Sequence, residues 1–144
     1  MACPKDNYPT PFIDQIIDNC SGSAIFSFMH RFSGYNQIEI LPSDHHKTAF
    51  ICPWVTFAYQ KLSFGLKSVG ATFQRAMSYN FHDIKHITDR YLDDLPTHSN
   101  RREDHLSHLR AIFVRCRYYR ICLNPHKCVF FVESSRLLGF IEAL

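Results

Sequence analysis

Two adjacent carboxylates, Asp93 and Asp94, end an apolar approach through Ile84, Ile87, Tyr91 and Leu92, and the apolar-polar stretch Leu95 to Ser99 follows them. Side chains alternate between faces along a strand, so neighbouring acids reach one site only where a tight turn breaks the alternation. The pattern predicts a strand ending at Leu92, an acid-bearing turn, and a return strand over residues 95–99. An isolated Asp-Asp pair is most often a polar turn. Held at a hairpin tip, the same pair offers hard oxygen ligands to a cation such as Mg²⁺.

The rest of the sequence predicts mixed elements. Thr10 and Pro11 suit the cap and first position of a helix that carries Phe12, Ile13, Ile16, Ile17 and Cys20 on one face. Residues 24–29 read as a buried strand, Ser33-Gly34 as a turn and residues 35–41 as an extended piece. Residues 47–52 and 57–62 read as a hairpin around Pro53-Trp54-Val55-Thr56. Gly65 and Gly70 bracket a loop before a helix over residues 71–81, with Phe73, Met77 and Phe81 on one side. A long helix begins near Arg101, and Leu106, Leu109, Phe113 and Cys116 form its apolar stripe. Residues 121–123, 129–132 and 137–141 read as short closing strands. Helices mixed with antiparallel hairpins, without βαβ alternation, define an α+β class.

A chain of 144 residues with 46% hydrophobic and 15% aromatic side chains can bury a substantial core, and is read as one domain over residues 1–144. No apolar run reaches the ~20 residues of a membrane span, and residues 1–6 lack the apolar stretch of a secretory signal. The expectation is a soluble intracellular chain without membrane contact, its compartment (cytoplasm or nucleus) left open. Residues 101–144 carry eight Lys/Arg against four Asp/Glu, whereas the first hundred carry eight against nine. Arg101, Arg102, Arg110, Arg115, Arg117 and Arg120 could therefore meet a polyanion, or simply form a solvated helix face. Cys116, Cys122 and Cys128 recur every sixth residue beside His126. Their spacing is wider than zinc sites usually use, so buried thiols are the default. His98, His105 and His108 are further ligand candidates.

Several segments resemble, in order, the motifs of gypsy-type LTR-retrotransposon reverse transcriptases. Residues 26–38 (FSFMHRFSGYNQI) resemble the first palm motif and residues 63–77 (SFGLKSVGATFQRAM) the second. Tyr91-Leu92-Asp93-Asp94 resembles the catalytic hairpin, and Leu123-Asn124-Pro125-His126-Lys127-Cys128 and Leu137-Leu138-Gly139-Phe140 the two motifs that follow. The resemblance implies a reverse-transcriptase-like fingers/palm fragment: an antiparallel sheet backed by helices, with partial fingers and no thumb, RNase H or integrase. It implies an RNA-directed DNA polymerase acting on an RNA or DNA template-primer and dNTP. Two Mg²⁺ (or Mn²⁺) ions would serve it, one activating the primer hydroxyl and one holding the triphosphate.

By the same resemblance Asp93 and Asp94 are the catalytic, metal-binding acids. Tyr35 would pack under the incoming sugar, Phe64 and Gly65 would shape the nucleotide pocket, and Gln74 and Arg75 would lie on the helix that supports the template side, with Gln74 counted among the substrate-binding residues. Lys127 helps protonate the leaving pyrophosphate, and Leu138-Gly139 positions the primer. One departure counts against activity: the position of the family's first palm aspartate is His30, followed by Arg31 where an apolar or small residue is usual. Imidazole has one neutral nitrogen where a carboxylate brings charge and bridging oxygens, so the expectation is a weakened two-ion site. Pro96 should also weaken the returning strand unless that strand is an edge. The alternative is a non-catalytic nucleic-acid-binding remnant.

Overall fold

The computed structural model describes residues 5–133, 135–137 and 140–142, the last two segments as backbone only. In chain order the main elements are α1 (Ile13–Cys20), β1 (Ile25–His30), β2 (Phe50–Ile51), β3 (Thr56–Phe57), α2 (Val69–Asn80), β4 (Asp94–Ser99), α3 (Arg102–Tyr118), β5 (Val129–Val132), β6 (Ser135–Leu137) and β7 (Phe140–Glu142). Strands β4, β1 and β5 form an antiparallel sheet in that order, while β2–β3 and β6–β7 pair separately. The architecture is α+β.

β1 is the middle strand, and its side chains divide the molecule in two. Met29 joins Phe73, Met77, Phe81, Ile87, Leu95, Leu109, Ile112 and Cys116 in the larger core, which α2 and α3 cover. Phe26 packs with Ile16 and Cys20 of α1 in a smaller core, and Phe28 packs against it. That split follows from the two-residue period of a strand. Each large apolar side chain buried in this way contributes about 2–3 kcal/mol.

Several expectations need correction. α1 starts at Ile13 with Phe12 as its cap and no side-chain capping bond, so Thr10-Pro11 lies before the helix. Residues 34–37 form a 3-10 turn after Ser33, which is left-handed at φ +46°, and do not begin an extended piece. The hairpin around Pro53 is a ladder of only two residue pairs. In place of one closing strand over residues 137–141, Ser135–Leu137 pairs with Phe140–Glu142, and Leu138-Gly139 lies outside the described residues.

The strand expected over residues 84–92 is instead a 3-10 turn followed by irregular chain. It touches β4 through two isolated bridges, Thr88 to Thr97 and Tyr91 to Asp94. Pro96 lies between these bridges. Its carbonyl accepts from Asp89 N (3.1 Å) and Thr88 Oγ1 (2.7 Å), so its missing N–H also falls on this side and no continuous ladder can form. β4 pairs fully with β1 and is the sheet's edge.

On α3 the buried positions are His105, Leu109, Ile112 and Cys116, whereas Leu106 is 59% exposed. The inward face is thus set by a histidine, which contacts Ser27 Oγ through Nε2 (2.8 Å) and Ser99 Oγ through Nδ1 (2.7 Å). Ser99 Oγ also meets His108 Nδ1 at 2.7 Å. Burial, and then the neighbouring histidines, hold His105 below the ordinary imidazole range; His108 is lowered too, again first by burial. A histidine depressed in the folded state binds fewer protons there than in the unfolded chain, so stability is lost as pH falls through the unfolded value of about 6.5. Thermal unfolding midpoints should decline from pH 7.5 to 5.5, and the decline should shrink in His105→Gln.

Candidate active site

Tyr91 and Asp94 exchange backbone bonds, Asp94 N to Tyr91 O at 2.9 Å and Tyr91 N to Asp94 O at 3.1 Å, which leaves Leu92-Asp93 as a two-residue turn. Leu92 adopts φ +49°, a left-handed conformation that costs a side-chain-bearing residue roughly 1–2 kcal/mol. The turn is held from below by Gln74, whose side chain has no exposed surface. Its Nε2 donates to Arg90 O (2.7 Å) and its Oε1 accepts from Leu92 N (2.9 Å). Gln74 was expected on the substrate side; the structure places it inside, as the clamp on the acid turn. Gln74→Leu would keep the volume but orphan two buried backbone groups. It should cost about 2–4 kcal/mol in a denaturation experiment.

Asp93 lies in the turn and Asp94 is the first residue of β4, so the two acids do reach one region. Gly34 makes room for Asp93: a Cβ there would collide with Asp93 Oδ1 and stand 2.9 Å from Phe73 Cζ. That oxygen is buried without a hydrogen-bond partner. Directly across the ladder from Asp94 is His30. His30 Nδ1–H donates to the Arg31 carbonyl (2.8 Å), which turns Nε2 toward Asp94 Oδ1 at 4.0 Å. Burial raises the Asp94 carboxyl above its ordinary range, and Asp93 adds to the rise, while His30, Arg31 and Lys127 oppose it.

Arg31 is the unexpected member. It is 1% exposed, and its Nε and both terminal nitrogens have no hydrogen-bond partner. Its guanidinium lies over the Phe73 ring, 4.8 Å from the centroid, within the electrostatic reach of Asp93 and Asp94. Burial pulls its pKa down to about 10, against the pull of Asp93.

Around this centre, Tyr35 packs edge-on against Phe64 (5.3 Å between centroids) and against Phe73 (4.8 Å). Burial, with the Asp93 charge, raises the Tyr35 hydroxyl. Phe64 is otherwise 84% exposed, and Gly65 follows it at φ +95°, which only glycine adopts without strain. Lys127 sits exposed in a 3-10 turn whose Asn124 N donates to His30 O at 2.8 Å. Arg75 does not face this centre; it pairs with Asp6 and lies over the Tyr8 ring. Tyr35, Phe64, Asp93, Asp94 and Lys127 are thus brought toward one face, with His30 and Arg31 among them.

The donor set does not fit two hard dications. Asp93 and Asp94 supply two negative charges, a buried guanidinium offsets one of them, and the third position offers a single imidazole nitrogen that cannot bridge.

A three-stranded antiparallel sheet with helices on both faces and an acid turn at one end is the architecture of a template-directed polymerase palm. The chain belongs to the family Reverse transcriptase (RNA-dependent DNA polymerase), whose pattern matches residues 2–141. It is 33% identical over 135 residues to the Retrovirus-related Pol polyprotein from transposon 412 of Drosophila melanogaster, covering 93% of this chain and 11% of that protein. It is 29% identical over 135 residues to the Transposon Tf2-3 polyprotein of Schizosaccharomyces pombe, covering 92% and 10%. The chain therefore spans about a tenth of these polyproteins, as a reverse transcriptase domain of that kind. Among solved structures it is similar to the foamy viral protease-reverse transcriptase in complex with RNA/DNA hybrid, with a TM-score of 0.85 and 18% identity over 97% of this chain and 19% of that one. A second structure of that protein, with double-stranded DNA, gives 0.87 at 18% identity over 97% and 25%. At that identity the likeness establishes the fold.

Proposed function

We propose that this chain is the palm region of a gypsy-type retroelement reverse transcriptase in which two-ion nucleotidyl transfer has been lost or reduced to a trace. The observation that carries the reading is the pair at the end of β1. His30 stands opposite Asp94 where the family's first acid would be, and Arg31 buries a cation beside Asp93. Tyr35, Phe64 and Gly65 would form the wall of the nucleotide pocket, with Lys127 at its rim. The foamy viral structures with RNA/DNA hybrid and double-stranded DNA support a template-primer as the polymer ligand.

A binding remnant that relies on the α3 arginines has less support. Arg102 pairs with Glu133, Arg115 with Asp83, and Arg101 with Glu103 at 3.5 Å, so acids already occupy three of the seven cations, six arginines and Lys127, on which that reading relies.

Primer extension on an RNA template with Mg²⁺ and then Mn²⁺ tests the proposal. The expected result is no extension above an Asp93→Asn/Asp94→Asn control. Extension clearly above that control would overturn the claim of loss.

A further inference from the structure

On the opposite side of the sheet from α2 and α3, three side chains from distant parts of the sequence converge: Cys20 at the end of α1, Asp89 before the acid turn, and His98 on β4. Their ligand atoms all lie within 4.8 Å of one another, and they are the only such His/Cys/Asp/Glu group among the described residues. Of the ligand candidates named from the sequence only His98 belongs to this group. His105 and His108 are engaged with Ser99, Cys116 is buried in the main core with its thiol pushed up to about 11, and Cys122 is exposed.

Hydrogen bonds around two of the three groups, His98 and Asp89, orient them toward a common point. Ser23 Oγ–H donates to Asn100 Oδ1 (3.2 Å), so the contact of 3.2 Å between Ser23 Oγ and His98 Nδ1 has the imidazole as donor. In the neutral ring this leaves Nε2 as a bare lone pair, and it faces Asp89 Oδ2 at 3.7 Å. On the other side Asn19 Nδ2 donates to Asp89 Oδ1 (3.1 Å), while Asp89 Oδ2 is buried with no hydrogen-bond partner. With that tautomer two acceptors face each other beside the Cys20 thiol, an arrangement that a bound cation would satisfy. Outer partners that fix the tautomer of a histidine and the rotamer of a carboxylate are the usual surroundings of a metal ligand set.

We propose that Cys20, Asp89 and His98 bind one zinc-class divalent ion. Thiolate, imidazole and carboxylate together select zinc over magnesium, and contraction of the group by about 1 Å would reach tetrahedral spacing. Binding releases the Cys20 thiol proton to solvent, and the thiolate and carboxylate then neutralise the dication. Three protein ligands leave a fourth position for water at the rim, where the Asp89 and His98 side chains retain 13% and 10% exposure. The ion would tie α1 to β4 and to the segment four residues before Asp93. It is a structural clamp, independent of the palm acids.

Cobalt(II) is the spectroscopic probe, added to the 144-residue chain after exhaustive chelation and reduction. One equivalent should produce a near-ultraviolet thiolate-to-cobalt absorption that zinc displaces, and zinc should raise the unfolding temperature. The band should vanish in Cys20→Ser and persist in Cys122→Ser and in Asp93→Asn/Asp94→Asn. Asp89→Asn should weaken cobalt binding by about tenfold or more. No thiolate band from the folded wild-type chain, or a band that survives Cys20→Ser and is lost in Cys122→Ser, would overturn the assignment. Should Cys20→Ser fail to fold, unchanged cobalt affinity in Asp89→Asn would overturn it equally.

Discussion

Arg31→Leu is expected to stabilise the chain by about 3 kcal/mol, which for a domain of this size is an increase of about 10 °C in unfolding temperature. Arg31 has almost no exposed surface, and three guanidinium nitrogens lack hydrogen-bond partners, so its charge is desolvated against only the Phe73 face and the fields of nearby groups, Asp93 first and Asp94 among them. A guanidinium drawn from its ordinary 12.5 to about 10 reports a penalty of that order on the charged form. Replacing buried ionic groups with well-packed apolar ones commonly gains 1–4 kcal/mol. The sign with pH follows. The unfolded chain holds this proton more tightly than the folded one, so the penalty is complete below about pH 10 and fades only above it. The advantage of leucine should therefore be flat between pH 6 and 9. Thermal denaturation of both chains across that range checks it, and a leucine variant less stable than the parent would mean that Arg31 is compensated by contacts stronger than its geometry indicates.

The same residue shows what could be read in the sequence and what could not. The position of Arg31 after His30 marked it as foreign to the motif, because an apolar residue belongs there. Whether it pointed to solvent or into the core depended on the register of β1 against β4, which hydrophobic pattern alone does not fix at a strand end. Long periodic elements were legible: Phe73, Met77 and Phe81 line the buried side of α2, and β1 falls within one residue of its expected span. α3 was read with Leu106 and Phe113 inward because a histidine was not counted among core residues. Ser27 and Ser99, far away in sequence, satisfy both ring nitrogens of His105 and make that burial possible.

The acid turn was predicted correctly as a break in strand alternation. Its approach is not a strand, because Pro96 denies the outer edge of β4 a continuous ladder. The resemblance gives Gln74 a place on the template-supporting helix, and the structure buries it. Nothing in a helix sequence announces that an amide will cap two backbone groups from a loop that folds over it later. Cys20, Asp89 and His98 lie 69 and 9 residues apart, so no local spacing could have joined them.

On the proposed reading, combining His30→Asp with Arg31→Leu supplies a third acid and removes the buried cation, and primer extension should rise by about 10³-fold or more over the background given by the Asp93→Asn/Asp94→Asn control. That factor corresponds to about 4 kcal/mol of transition-state stabilisation, within what a shared metal ligand can supply. His30→Asp alone should recover less. An aspartate opposite Asp94 gathers a third carboxylate, but Arg31 still lies within the field of Asp93 and Asp94 and competes with the ions. Arg31→Leu alone should recover none, since imidazole still cannot bridge two dications. The ordering of the three variants separates a ligand defect from a general gain in folding: a stability effect would give Arg31→Leu activity by itself. The gain should also vanish when Asp93→Asn is added to the double variant, because restored activity must pass through the acid turn. If the double variant is folded and inactive, the loss lies in holding the template-primer or the triphosphate, and the end of β1 is then only one of several defects.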